Sequence, residues 1–252
     1  MKILLDKIMH ERNLKVRQVS IMTGIPKSTV SDIANEMCIR DRDLTALHKE
    51  GKLVKVFGGA VLAGDTFHTK DEKVSNREEV NRNEKIKIAR YAASMIKKDD
   101  FVYLDAGTTT GYMIDYIQER SATYVTNGVS HARRLAAMGF KTMIIGGELK
   151  ESTEAVVGGE ALNSLEKFHF TIGFFGANGI TKKNGYTTPD VSEALVKQKA
   201  MEKSQKKYML CDAAKFGNVC SVTFGEFSSA IILTNYVPKN IYENSSNLIA
   251  IR

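Results

Sequence analysis

The chain of 252 residues contains no apolar run that reaches the roughly 18–20 residues a membrane span needs. Its N-terminus, MKILLDKIMHERNLK, is charged throughout and does not read as a secretory signal. Cysteine is scarce: Cys38, Cys211 and Cys220 stand alone with no CxxC spacing. That excludes a disulfide frame or a zinc site and points to reduced thiols in the cytoplasm. The chain has five histidines, and none lies in the polar turns that follow its strand-like runs. No catalytic residue, metal or cofactor is expected.

What is present is ordinary globular composition, 43% hydrophobic and 26% charged, enough for a sizeable core in one large domain or two modest ones. The net charge of +7 is uneven. Residues 1–62 hold 11 Lys/Arg against 7 Asp/Glu, and the remaining 190 hold 25 against 22. A positive field concentrated at one end is what binding to a phosphate backbone requires, although charge alone also fits a solvated basic surface.

The N-terminal residues read as helices over 2–12 and 15–22, a turn at Gly24, and a third helix over 26–36 opened by Pro26, whose missing N–H costs nothing in a first turn. Helix, helix, glycine turn, helix is the layout of a helix-turn-helix. Lys27, Ser28 and Thr29 then fall at the start of the third helix, where major-groove readers place base-contacting residues. This segment resembles the first helices of Cro/Xre-type repressors. Residues 43–50 are again helical and stop at Gly51, and 52–62 alternate and close on Gly58-Gly59, the pattern of a β-hairpin wing. The stretch RDLTALHKEGKLVKVFGGAVL resembles the end of the winged helix-turn-helix of the DeoR family, with Phe57 where that family usually has His. Arg40, Arg42, Lys52 and Lys55 join Lys27, Ser28 and Thr29 as expected contacts to double-stranded operator DNA. Between the two unlike readers stands Met37-Cys38-Ile39-Arg40-Asp41-Arg42. The codons ATG TGT ATA AGA GAC AGR encode that hexapeptide and look like a transposon mosaic end, so residues 37–42 read as a chimeric join; the alternative is a real fusion in which Pro26 to Lys49 forms one long helix.

Residues 63–83 are polar and weakly patterned and read as a linker, with a helix forming toward residue 84. From 84 to 252 the pattern changes. FVYLDAG (101–107), ATYVTNG (122–128), KTMIIGG (141–147), FTIGFFGANG (170–179), KYMLCD (207–212) and AIILTN (230–235) are short apolar runs, mostly separated by helical stretches. The alternation predicts an α/β fold with a parallel sheet and helices on both faces, and ligands bind such sheets at the carboxyl ends of the strands.

The polar residues that stand out follow those strands. Asp105, Gly107, Thr108, Thr109 and Thr110 leave the first run and open a helix. Their hydroxyls and amides suit an anion, but Thr108 or Thr109 equally suits a plain N-cap. Thr126 and Asn127, Gly147 and Glu148, Asn178, and Asp212 with Lys215 follow later strands. Asp190, Glu193 and the basic pair Lys197 and Lys199 lie between them. Each residue alone reads as turn chemistry, and together they suit a small polyhydroxylated anion. LDAGTTT, VTNG, IGGEL, VGGEAL, FFGANGI, GYTTPD, EALVKQKAM and CDAAKFG resemble the DeoR-family sensor domain along essentially its whole length. The resemblance implies a Rossmann-like fold similar to ribose-5-phosphate isomerase and glucosamine-6-phosphate deaminase. It also implies an oligomeric repressor released by a phosphorylated sugar, fructose 1-phosphate or similar. The effector positions it carries over are Asp105, Gly107, Thr108, Thr109, Thr110, Thr126, Asn127, Gly147, Glu148, Asn178, Asp212 and Lys215. A sugar-phosphate isomerase or deaminase is the alternative, with Asp190, Glu193, Asp212 and Lys215 as its carboxylates and base.

Overall fold

The computed structural model describes residues 53–56, 59–62, 66–68, 74–238, 242 and 245–251. The expected helices before residue 52, the 37–42 segment, and Lys27, Ser28, Thr29, Arg40, Arg42 and Lys52 lie outside the described residues. Two compact units divide the chain, the second comprising Asp65–Val237 and Asn244–Arg252.

In the first unit, β1 (Leu53–Val56) and β2 (Gly59–Leu62) pair antiparallel, with Leu53 opposite Leu62 and Val56 opposite Gly59. This is the hairpin read from the alternating apolar residues, and Lys55 lies on its first strand.

The second unit begins inside the stretch read as a linker. There β3 (Thr66–His68) pairs in parallel with Asn218–Cys220, and α1 (Val74–Glu79) precedes α2 (Arg82–Ala93). The chain continues through β4 (Phe101–Leu104), α3 (Thr108–Met113), β5 (Thr123–Thr126), α4 (Val129–Ala137), β6 (Lys141–Ile144), β7 (Glu148–Lys150), β8 (Ala155–Val157), α5 (Gly159–Glu166) and β9 (Phe170–Phe175). It ends with β10 (Gly179–Thr181), β11 (Gly185–Thr188), α6 (Val191–Glu202), β12 (Ser204–Leu210), β13 (Asn218–Cys220), β14 (Val222–Gly225), β15 (Ile231–Thr234) and β16 (Leu248–Ala250).

Seven strands form one sheet in the order β16-β15-β12-β9-β4-β5-β6. Every pairing within it is parallel. The six apolar runs of the sequence supply six of these strands. The chain starts in the middle at β4, steps outward through β5 to β6, then returns to the other side of β4 with β9. The order therefore reverses between β4 and β9. That reversal defines the Rossmann-like architecture and opens a crevice at the carboxyl ends of those two strands.

The central strands β4, β5 and β9 are buried on both faces, as in a sheet covered by helices on either side. Val102 and Leu104 of β4 and Ile172 and Phe174 of β9 point into one core with Ile88, Ala89 and Ala92 of α2, Met113 of α3 and Leu135 of α4. Tyr103 and Phe175 alternate to the other face, where their rings stack at 5.5 Å. The period-2 alternation fixes register, since a one-residue slip would exchange the two faces.

A second sheet has three antiparallel strands in the order β10-β11-β14. Its tight entry depends on Gly185, which has φ +66 and whose added Cβ would lie 2.1 Å from the Gly225 carbonyl oxygen. Gly217 also has positive φ, +82, but faces open space. We expect Gly217→Ala to lose only the left-handed strain, ~1–2 kcal/mol. Gly185→Ala should lose about 3 kcal/mol or more because backbone must also move. Denaturant melts of the two variants check the ordering, and equal losses would contradict it.

Candidate effector site at the strand ends

Asp105 is the first residue past β4, at the point where the strand order reverses. Its side chain is fully buried. The Gly176 N–H, from the end of β9, donates to its Oδ2 at 3.1 Å, and the Lys197 ammonium of α6 donates to the same oxygen. Lys197 is itself 5% exposed, so this is a buried ion pair. Burial pushes the Asp105 carboxyl above its usual range, against the pull of Lys197 and Gly176. The sequence reading placed Lys197 and Lys199 on one basic face, but two residues along a helix point them apart. Lys197 turns inward and Lys199 turns outward to Glu166 at 2.7 Å.

The next residues shape a loop. Gly107 is the N-cap of α3 in an extended conformation and offers no side-chain cap, so neither Thr108 nor Thr109 is the cap. The Thr110 hydroxyl lies 2.6 Å from the Asp105 carbonyl and 2.9 Å from the Gly107 carbonyl, closing the loop on itself. Asn127 joins it to the next strand end: the Ala106 N–H donates to its Oδ1 at 2.8 Å. Thr126 accepts the Gly128 N–H at 3.0 Å, which turns the chain into α4. Asn127, Thr126 and Thr110 are thus the framework that holds the loop, with their polar atoms already engaged.

Between the α3 and α4 termini lies a cleft of about 430 Å³. Gly107, Thr108, Gly128, His131, Arg134 and Thr153 are among its lining residues. The outer wall is the 151–154 turn. The Glu154 carbonyl accepts the Val129 N–H at 3.0 Å, and the Thr153 hydroxyl donates to Glu193 at 2.6 Å. Gly147 and Glu148, expected at the site, are exposed at the start of β7 and do not line this cleft. Lys150, two residues on, bridges Asp190 and Glu193, each at 3.1 Å. Asp190 also caps α6, accepting the Glu193 N–H at 2.8 Å.

His131 escaped the sequence reading because a histidine inside a helical stretch carries no pattern. Its ring is wedged between two glycines: a Cβ on Gly111 would lie 2.8 Å from Nε2, and one on Gly128 would lie 2.5 Å from Nδ1. Burial first, and the Arg134 charge second, lower its pKa from 6.5 to about 4, with a hydrogen bond to the Gly107 backbone opposing them.

The remaining expected positions sit further along the same rim. Asn178 accepts the Thr188 hydroxyl at 3.1 Å in the β10–β11 hairpin. Asp212 lies two residues past β12 and is 2% exposed. It accepts Asn81 Nδ2 at 3.1 Å and the Ala214 N–H at 3.0 Å. Lys215 follows on the same short turn, half-buried. Cys211, beside Asp212, is a buried thiol whose pKa burial pushes up to about 12.

With this geometry in view, likeness to known proteins becomes informative. A model of the DeoR C-terminal sensor domain matches residues 80–235. The chain belongs to the DeoR family. This DeoR-family chain is 34% identical over 246 residues to the HTH-type transcriptional regulator FruR of Bacillus subtilis (strain 168), an alignment covering 96% of this chain and 92% of that protein. That coverage leaves about ten residues outside, so the alignment runs through residues 37–42. It is 35% identical over 220 residues to the lactose phosphotransferase system repressor of Staphylococcus aureus (strain N315), covering 84% of this chain and 83% of that one. Among solved structures, ribose 5-phosphate isomerase A from Methanocaldococcus jannaschii aligns with TM-score 0.41 and 13% identity over 54% of this chain and 55% of that one.

Two outcomes test the site's electrostatics. Lys197→Met strands the Asp105 carboxylate without its cation and should destabilise the fold by ~3–5 kcal/mol, with part recovered by adding Asp105→Asn. His131 stays neutral in the folded protein down to about pH 4. Unfolded chains take up its proton near 6.5, so stability falls as pH drops between those values, by about 3 kcal/mol in total. His131→Gln should flatten that part of the stability–pH curve, and an unchanged slope would refute the assignment.

Proposed function

We propose that the chain is a DNA-binding transcriptional repressor of a sugar-utilisation operon, released from double-stranded operator DNA by a phosphorylated sugar. The carrying observation is the reversal of strand order between β4 and β9, with every strand parallel. One rim therefore gathers the loops at 105–110, 126–128, 176–178 and 212–215. They bring glycine backbone, hydroxyls, amides and lysines to a single edge, the chemistry that a small polyhydroxylated anion requires. The names of the FruR and lactose phosphotransferase relatives support the same reading, with fructose 1-phosphate or a similar hexose phosphate as effector. Asp105, Gly107, Thr108, Thr109, Thr110, Thr126, Asn127, Asn178, Asp212 and Lys215 form or support the site. Gly147 and Glu148 contribute through the turn that follows them.

The protein acts as a cytoplasmic homo-oligomer, since paired operator half-sites need at least a dimer. It is not an enzyme. Asp190 and Glu193 are occupied by Lys150, a helix cap and Thr153. Asp212 is occupied by Asn81 and Ala214. None of the three is poised to move a proton. A repressor of this kind switches only if the effector binds the DNA-free state more tightly than the DNA-competent one.

A thermal-shift screen of sugar phosphates checks the reading: at least one phosphorylated hexose raises the melting temperature, whereas its unphosphorylated sugar does not. A screen with no response would overturn it. The 37–42 segment is, on this proposal, a join between two incomplete readers, with Asp41 interrupting the basic residues Arg40 and Arg42 in the sequence. Gel shifts with this chain are then expected to show weak, unselective DNA binding, and tight selective binding would dismiss the join.

A further inference from the structure

The charges of the cleft nearly cancel. Arg133 and Arg134 face Glu78, Glu151 and Glu154 among its lining residues, so a doubly charged phosphoryl group gains little there. The balance is different at the end of β12. Lys85, on the first turn of α2, is 3% exposed. Its ammonium donates to the Arg77 carbonyl and senses Asp212, Lys215, Arg77 and Glu78. The Arg77 Nε is buried with no hydrogen-bond partner. The Lys215 ammonium makes no ion pair among the described residues. Three cations therefore meet two carboxylates, Asp212 and Glu78, at this corner, an excess of one positive charge, and the Asp212 Oδ1 accepts from the Asn81 amide and the Ala214 N–H. The corner also adjoins the threonine loop. The Tyr112 hydroxyl of α3 donates to the Glu78 carbonyl at 3.0 Å, and the Arg82 guanidinium lies 6.0 Å from the Tyr112 ring centre.

We propose that Arg77, Lys85 and Lys215 hold the phosphoryl group of the effector, with the sugar extending toward the Gly107–Thr110 loop. Lys215 was expected at the site from sequence, but Arg77 and Lys85 were not. They give the site a second half contributed by α1 and α2. This inference rests on the effector reading above and makes it specific. It also names a route for the signal. Among the described residues α1 and α2 are the first helices in chain order after the β1–β2 hairpin, so a ligand that clamps Arg77 and Lys85 to Lys215 acts on the first helices of the sensor unit. Differential contacts of this kind are what a switch needs.

The test has two parts. Calorimetry of the full chain with fructose 1-phosphate, and with other hexose phosphates if that one is silent, gives the affinity. Arg77→Gln and Lys85→Met should each weaken it about tenfold to a hundredfold, the loss expected for a hydrogen bond to a charged group. The second part is proton uptake. Burial lowers the Lys85 pKa from 10.5 to about 8, opposed by Asp212 and Glu78 and assisted by Lys215 and Arg77. A phosphoryl dianion alongside restores the charged form. Binding should therefore take up most of one proton near about pH 8.5 and little near about pH 7, read from titrations in buffers of different ionisation enthalpy. Lys85→Met should abolish the uptake. Unchanged affinity in both variants, or binding with no proton uptake, overturns the assignment and leaves the effector reading standing. If no hexose phosphate binds the unmutated chain, both fall. Should Lys85→Met fail to fold, proton uptake by the unmutated chain decides alone.

Discussion

The carboxylate of Asp105 ties together the part of the sheet on which the site depends. It is buried where the strand order reverses, and it accepts from the Gly176 backbone just past the neighbouring strand β9 and from Lys197 on α6. A buried ion pair of this sort is a weak source of net stability, because desolvation offsets most of the attraction. Its effect is geometric. With one oxygen held by two fixed donors, the backbone leaving β4 has a single exit path, and the Gly107–Thr110 loop follows from it. Asn127 fixes that loop from the β5 side.

From that anchor the rim divides into two kinds of residue. Thr110, Thr126, Asn127 and Asn178 spend their polar atoms on neighbouring loops. Gly107 and Thr108 line the cleft, and Lys215 makes no ion pair among the described residues. Sequence resemblance groups both kinds as binding positions. Hydrogen-bond accounting separates those that build the frame from those with capacity left for a ligand.

Six strands of the main sheet were legible because each is a run of apolar residues too short for a helix and bounded by glycine or a polar turn. The strands that were not legible are three or four residues long, and some are rich in threonine and glycine. Gly179–Thr181 and Gly185–Thr188 are examples, with no alternation to detect. β3 was hidden in a stretch whose polarity reads as linker, and only its pairing with β13 reveals it. At the proposed site, the turn from Asp105 through Thr110 stands out in the sequence because glycine and threonine after a strand are unusual in a core. Lys85, Arg77 and His131 do not, since a basic residue in a helical stretch reads as a solvated face. Long-range packing turned Lys85 and His131 inward, and local periodicity carries no trace of that.

The thiol of Cys211 sits immediately before Asp212, shut away from solvent, with its proton held far above neutral pH. Thiolate is the species that oxidants and electrophiles attack, and this sulfur scarcely forms it. This thiol is therefore shielded from peroxide and from the thiol–disulfide balance around the protein.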